Sequence, residues 1–96
     1  MKTILINAIQ DRECLSFVYS GLQRLVQPAA VGISLAGNEV LRCYQIGGGH
    51  VTSGHDWDLV DLSKISGLRG TGQHFYGDPP GYRRGDKGMT MIFAQL

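Results

Sequence analysis

Fourteen glycines in ninety-six residues, about twice the usual share, constrain this chain more than any other feature. Glycine inside a helix or strand costs backbone entropy and leaves nothing to pack. The count excludes a helical bundle and points to a turn-rich β architecture. The placement is uneven. Gly21, Gly32 and Gly37 punctuate the first half, and the other eleven fall from Gly47 onward. The early ones are expected at corners of a small barrel. The later ones mark the loop 47–56 and the stretch 67–88, both expected to be flexible and to border any site. This length supports one domain with one modest core. Hydrophobic residues at 43% and charged residues at 18% describe a globule. A formal charge of +1 argues against bulk electrostatic adhesion to nucleic acid or anionic lipid.

Periodicity divides residues 1–96 into one domain with three parts. Ile4, Leu5, Ala8, Ile9 and Arg12 make one stripe of an amphipathic helix over 3–12, with Thr3 as its cap. From Cys14 to residue 75 the period of two predicts a barrel. Leu15, Phe17 and Tyr19 alternate up to a turn at Ser20-Gly21. Residues 24–35 form a long extended stretch that Pro28 and Gly32 interrupt, as a bend, a bulge or an edge. After a hairpin at 36–38, residues 39–46 put Val40, Arg42, Tyr44 and Ile46 on one face and Glu39, Leu41, Cys43 and Gln45 on the other. Residues 57–62 alternate again. Residues 76–96 begin as an irregular excursion and close with a strand from Met89, with Met89, Met91 and Phe93 on one side. The fold class is mainly β: one short N-terminal helix and about five strands, as a small five-stranded barrel or a rolled sheet.

Cys14 and Cys43 read as two buried thiols, because no pair among them, His50 and His55 has zinc-finger spacing. No metal and no cofactor are expected. The apolar start Ile4-Leu5-Ile6 stops at Asn7, too short for a signal peptide, so the expected location is cytoplasmic. Gly47-Gly48-Gly49 lacks the Lys-Ser/Thr of a phosphate loop. On a strand, Asp58 and Asp61 point to opposite faces and cannot share an ion. No set of residues suggests a catalytic reaction, and a non-enzymatic protein is expected.

Charge is concentrated late. From Lys64 to Gly88 five cations face two carboxylates, and Arg83, Arg84 and Lys87 follow Tyr82 directly. Cations beside aromatic rings on a loop offer phosphate contacts and stacking, so Tyr82, Arg83, Arg84 and Lys87 are candidate nucleic-acid contacts. The alternative is a solvated loop.

The order of elements and several residues resemble a WYL domain. The resemblance rests on Leu15-Ser16-Phe17-Val18-Tyr19, Gly21, Arg24 to Pro28, Leu41-Arg42-Cys43-Tyr44 and Leu62-Ser63-Lys64-Ile65, and it covers roughly residues 5–75. The tail looks like that of short stand-alone members without a helix-turn-helix domain. Two positions depart from the pattern. Glu39-Val40-Leu41 stands in place of Trp-Tyr-Leu, and Asp58 stands where a basic residue is common. The resemblance implies an SH3-like, Sm-like barrel that senses a ligand or contacts nucleic acid, often in transcription regulation or phage defence. It also implies a ligand pocket of Tyr19, Arg24, Arg42 and Lys64. Two guanidiniums, an ammonium and a phenol suit a nucleotide or single-stranded nucleic acid. The structural alternative pairs Arg42 with Asp58 or Asp61. A second function class is self-association: Met89 to Phe93 is apolar and β-prone, and could pair with another copy as a homodimer.

Overall fold

The computed structural model describes residues 1–49 and 55–96. One long strand, β2 (Leu22–Ser34), organises the architecture. Strand β1 (Glu13–Tyr19) folds back on its first half through the two-residue turn Ser20-Gly21, placing Tyr19 opposite Leu22 and Leu15 opposite Val26. The second half of β2 pairs with the last strand, which spans Met89–Gln95. Pro28 lies between these two partners. A proline has no N–H for a ladder and is tolerated at bulges. The register against the next strand shifts between Pro28 and Ala30, so the interruption is a bulge in a central strand.

On its other side β2 pairs with β3 (Glu39–Gly48), and β3 pairs with β4 (Trp57–Asp61). A single 3-10 turn at Leu62–Lys64, with the Asp61 carboxylate accepting from the Ser63 N–H, leads into β5 (Ser66–His74). That strand pairs with β1. With the last strand as β6, the sheet order is β4-β3-β2-β1-β5 and β6 adds to β2. The class is mainly β with one N-terminal helix, as expected. The sheet has six strands rather than five, and among the described residues no pairing joins β4 to β5, so this barrel-like sheet is not closed.

The extra strand is β5, where glycine had suggested a loop. Its side chains are almost all exposed, so it needs no apolar alternation. Backbone pairing with β1 holds it, helped by Thr71 Oγ1 donating to the Cys14 carbonyl and the Gly72 N–H donating to the Glu13 carboxylate. Helix α1 (Lys2–Asp11) begins one residue earlier than the stripe indicated, and Thr3 lies inside it rather than capping it. Leu5, Ala8 and Ile9 enter the main core, whereas Ile4 stays exposed.

That core joins the helix to Leu15, Phe17, Val26, Val31, Leu41, Cys43 and Val60. Both cysteines are free and buried, and burial foremost, then the Asp58 carboxylate, pushes the Cys43 thiol up to about 12. A smaller cluster of Ala30, Val40 and Met89, with Leu59 and Ile92, occupies the opposite face of β3. Register shifts in β6 break the expected side of Met89, Met91 and Phe93: Met89 is buried there, Met91 is 57% exposed, and Phe93 packs against the main core. At Gly32 the β6 backbone crosses so closely that a Cβ would fall 2.0 Å from the Met91 carbonyl oxygen. Among the described residues no helix is long and apolar enough to cross a membrane.

Candidate functional site

Strand alternation separates the four residues of the expected pocket. Leu41 and Cys43 point into the main core, so Arg42 between them points to the other face. Asp58 stands opposite Cys43 across the β3–β4 ladder, and Arg24 reaches that carboxylate with Nη1 at 3.3 Å. Arg24 also donates from Nε to the Tyr19 carbonyl and lies 5.3 Å from the centre of the Tyr19 ring. The Tyr19 hydroxyl accepts from the Asp61 N–H. Buried Arg24 and half-buried Tyr19 thus form one unit. Lys64 is exposed on the 3-10 turn, and it forms no hydrogen bond or ion pair with Tyr19, Arg24 or Arg42 among the described residues. The implied four-residue pocket is not assembled.

Arg42 belongs to a different arrangement. Its partner is neither Asp58 nor Asp61 but Asp86, which accepts from Nε at 2.7 Å and from Nη2 at 3.2 Å. The reason is directional: Asp58 lies across from Cys43 on the core face, whereas Asp86 comes from the tail segment covering the outer face. Arg42 Nε and the Gly88 N–H both hold Asp86, and they keep its carboxyl below the usual range against the opposing effect of burial. Gly88 packs close to this pair. A Cβ there would stand 3.0 Å from Arg42 Nη2 and 3.1 Å from Asp86 Oδ1.

The tail between β5 and β6, expected to be flexible, is tied down along its length. Arg12 donates to the Gly77 carbonyl and to Asp78, and the Trp57 indole N–H donates to the Pro80 carbonyl. The Tyr82 hydroxyl and Arg84 Nε both donate to the Leu96 carbonyl, and the Gly85 N–H donates to the Gln95 side chain. Each tie satisfies a polar group that an irregular segment cannot pair within itself.

Between the tail and the strands lies a cleft of about 360 Å³, lined by Arg42, Trp57 and residues 81–87. Tyr82, Arg83, Arg84 and Lys87 all line it, so the structure unites them with Arg42 rather than with Tyr19 and Arg24. One carboxylate, Asp86, faces four cations. Arg83 and Lys87 form no ion pair or hydrogen bond among the described residues. Trp57 supplies an aromatic wall, with Tyr82 stacked at 6.4 Å and Tyr44 edge-on at 5.3 Å between ring centres. Trp57 had not been singled out. Its signal was present: Tyr44 shares the Arg42 face by spacing of two, and an aromatic opening the next strand is well placed to pack beside it.

Of the histidines, His50 lies outside the described residues, as do positions 50–54 of the Gly-rich loop expected over 47–56, whose first two residues instead close β3. His74 Nδ1 sits 2.9 Å from the Asp11 carbonyl. Among the described residues no group of three or more His, Cys, Asp or Glu is placed to hold a metal ion.

No protein-family model, no curated protein and no solved structure matches this chain. The WYL resemblance therefore rests on the residues quoted for it, and the site is read from its own chemistry.

Proposed function

We propose that the protein is a non-enzymatic, WYL-like binding module for a nucleotide or single-stranded nucleic acid, and that the Arg42–Trp57–Tyr82 cleft is its site. The observation that carries this reading is the pairing state of the cations. Among the described residues, Arg83 and Lys87 have no hydrogen-bond or ion-pair partner, and they stand beside an aromatic wall in a cleft that also holds Arg42 and Arg84. A protein with a formal charge of only +1 has gathered four of its nine basic residues there. Phosphate groups answer such a cluster and a base answers the indole, in a site where stacking contributes about 1–3 kcal/mol per base.

Trp57 is the chain's one tryptophan, so its emission reports the site directly. Titration with nucleotides and short single strands should quench it, and raising the salt should weaken the effect. Arg83→Ala with Lys87→Ala should abolish the response while leaving the fold intact. Unchanged binding in that double variant would refute the assignment.

A second reading, self-association through β6, draws on one observation. Met91 is 57% exposed on a strand that, among the described residues, pairs with β2 alone. A homodimer formed there should dissociate in Met91→Glu, as read by light scattering. A wild-type monomer at micromolar concentration would remove this reading.

A further inference from the structure

Resting on the cleft assignment above, we propose that its ligand is a single nucleotide with a terminal phosphate, rather than the interior of a strand. Three features of the cleft lead to this class. The first is size and construction. The volume of about 360 Å³ is at the small end for ligand sites, and a single tail segment, residues 81–87, folded over two strands builds nearly all of it. Proteins that hold a strand offer successive stacking platforms along a basic groove. Here Trp57 and Tyr82 stack on each other and form one platform.

The second feature is where the remaining cations lie. Arg24 is buried and engaged by Asp58. Lys64 is on the 3-10 turn, and Arg69 is on β5, a strand that pairs with β1 at the far end of the sheet path from β4. Lys2 is paired with Glu39, and Arg12, the one of these five whose charge reaches Tyr82, is already paired with Asp78. None of the five lines the cleft, and the one beside its tail already has a carboxylate partner.

The third feature is how Arg42 is held. A guanidinium has two edges that can each grip an oxyanion, one through Nε and Nη2 and one through the two terminal nitrogens. Asp86 occupies the first edge, and Nη1 has no hydrogen-bond partner among the described residues. Asp86 is thus a positioning residue: it fixes the guanidinium plane and leaves the outer edge for a ligand. Arg42, Arg83 and Lys87 all line one small cleft. A phosphate monoester, with close to two negative charges and three free oxygens, uses several donors at one point. An internal diester carries one charge and must continue in both directions.

Calorimetric titration of the full chain separates the possibilities. The probes are the four ribonucleoside 5′-monophosphates, the matching nucleosides, and a short oligodeoxynucleotide with hydroxyls at both ends. At least one monophosphate should bind about tenfold or more tightly than its nucleoside, corresponding to about 1.4 kcal/mol, and than the oligonucleotide. Asp86→Asn should narrow that phosphate preference while Arg24→Met leaves it unchanged. Tyr76, fully exposed and outside the cleft lining, provides a control, because Tyr76→Ala should not alter any affinity. If the oligonucleotide binds more tightly than every monophosphate, and Arg83→Ala weakens it, the broader reading stands and the single-nucleotide class is overturned. If no probe binds, both are overturned.

Discussion

Two arginine–aspartate pairs lie on opposite faces of β3–β4, and they are arranged in opposite senses. In the Arg24–Asp58 pair the cation is buried, its side chain 5% exposed, while the carboxylate is 42% exposed. In the Arg42–Asp86 pair the carboxylate is the more enclosed partner, 10% exposed, and the cation reaches outward at 29%. The same two residue types therefore present a negative group to solvent at one place and a positive group at the other. Arg24 spends Nε on the Tyr19 carbonyl and Nη1 on Asp58, and its guanidinium lies over the Tyr19 ring. Around Arg42 lie Arg83 and Lys87, which have no partner among the described residues. A buried arginine packed on an aromatic ring and paired with a carboxylate is a structural element, whereas an oriented, outward-reaching one beside further cations is equipped to bind an anion. Residue identity alone does not distinguish the two.

The largest expected effect follows from removing the buried cation. Arg24→Ala deletes a side chain packed on Tyr19 and leaves Asp58 unpaired. Its cost should be about 2–4 kcal/mol in urea unfolding, with ligand-induced quenching of Trp57 kept wherever the protein remains folded. Loss of binding without loss of stability would reverse the roles assigned to the two pairs.

Asp86→Ala comes next, at about 1–3 kcal/mol, because Arg42 can recover part of its hydration. Its sign with pH is fixed. The folded state depresses the Asp86 carboxyl, so its stabilisation is complete above the unfolded value of about 3.9 and is lost as pH falls through the folded value. Wild type should therefore exceed Asp86→Ala in stability at neutral pH, and the gap should close in acid. A gap that persists at the lowest pH at which both remain folded would show that Asp86 stabilises by another route.

The smallest stability effects belong to the unpaired cations. Arg83→Ala and Lys87→Ala should each change unfolding free energy by no more than about 0.5 kcal/mol. Each should also lower the salt dependence of nucleotide binding, as expected when one phosphate contact is removed. A large stability loss in either would mean that the cation has a structural partner.

Much of the scaffold could be read from residue order. The alternation of Leu41 and Cys43 against Arg42 and Tyr44 correctly divided β3 into two faces, and of the bend, bulge or edge that Pro28 signalled, the fold has the bulge. Strand β5 was hidden because its exposed, Gly-rich stretch has no apolar period, and backbone pairing with β1 alone defines it. For the site, the aromatic and basic run at Tyr82 to Lys87 was visible as composition. Its union with Arg42 was not, because the Arg42–Asp86 contact spans 44 positions and depends on how the tail crosses the outer face. The resemblance placed Arg24 and Arg42 in one pocket. Their separation follows from strand parity, since Arg24 reaches Asp58 on the Cys43 face of the sheet and Arg42 points away from it. The anchored tail was also unexpected, for glycine content indicates permissible backbone angles and not the carbonyls and side chains that later secure the segment.

The most direct test maps backbone amide shifts by NMR while a nucleoside monophosphate or short single strand is added. The account predicts perturbations centred on Arg42, Trp57 and residues 81–88, saturating together, with Tyr19, Arg24 and Asp58 unmoved. Perturbations centred instead on Tyr19, Arg24 and Asp58, or none at any ligand concentration, would contradict it.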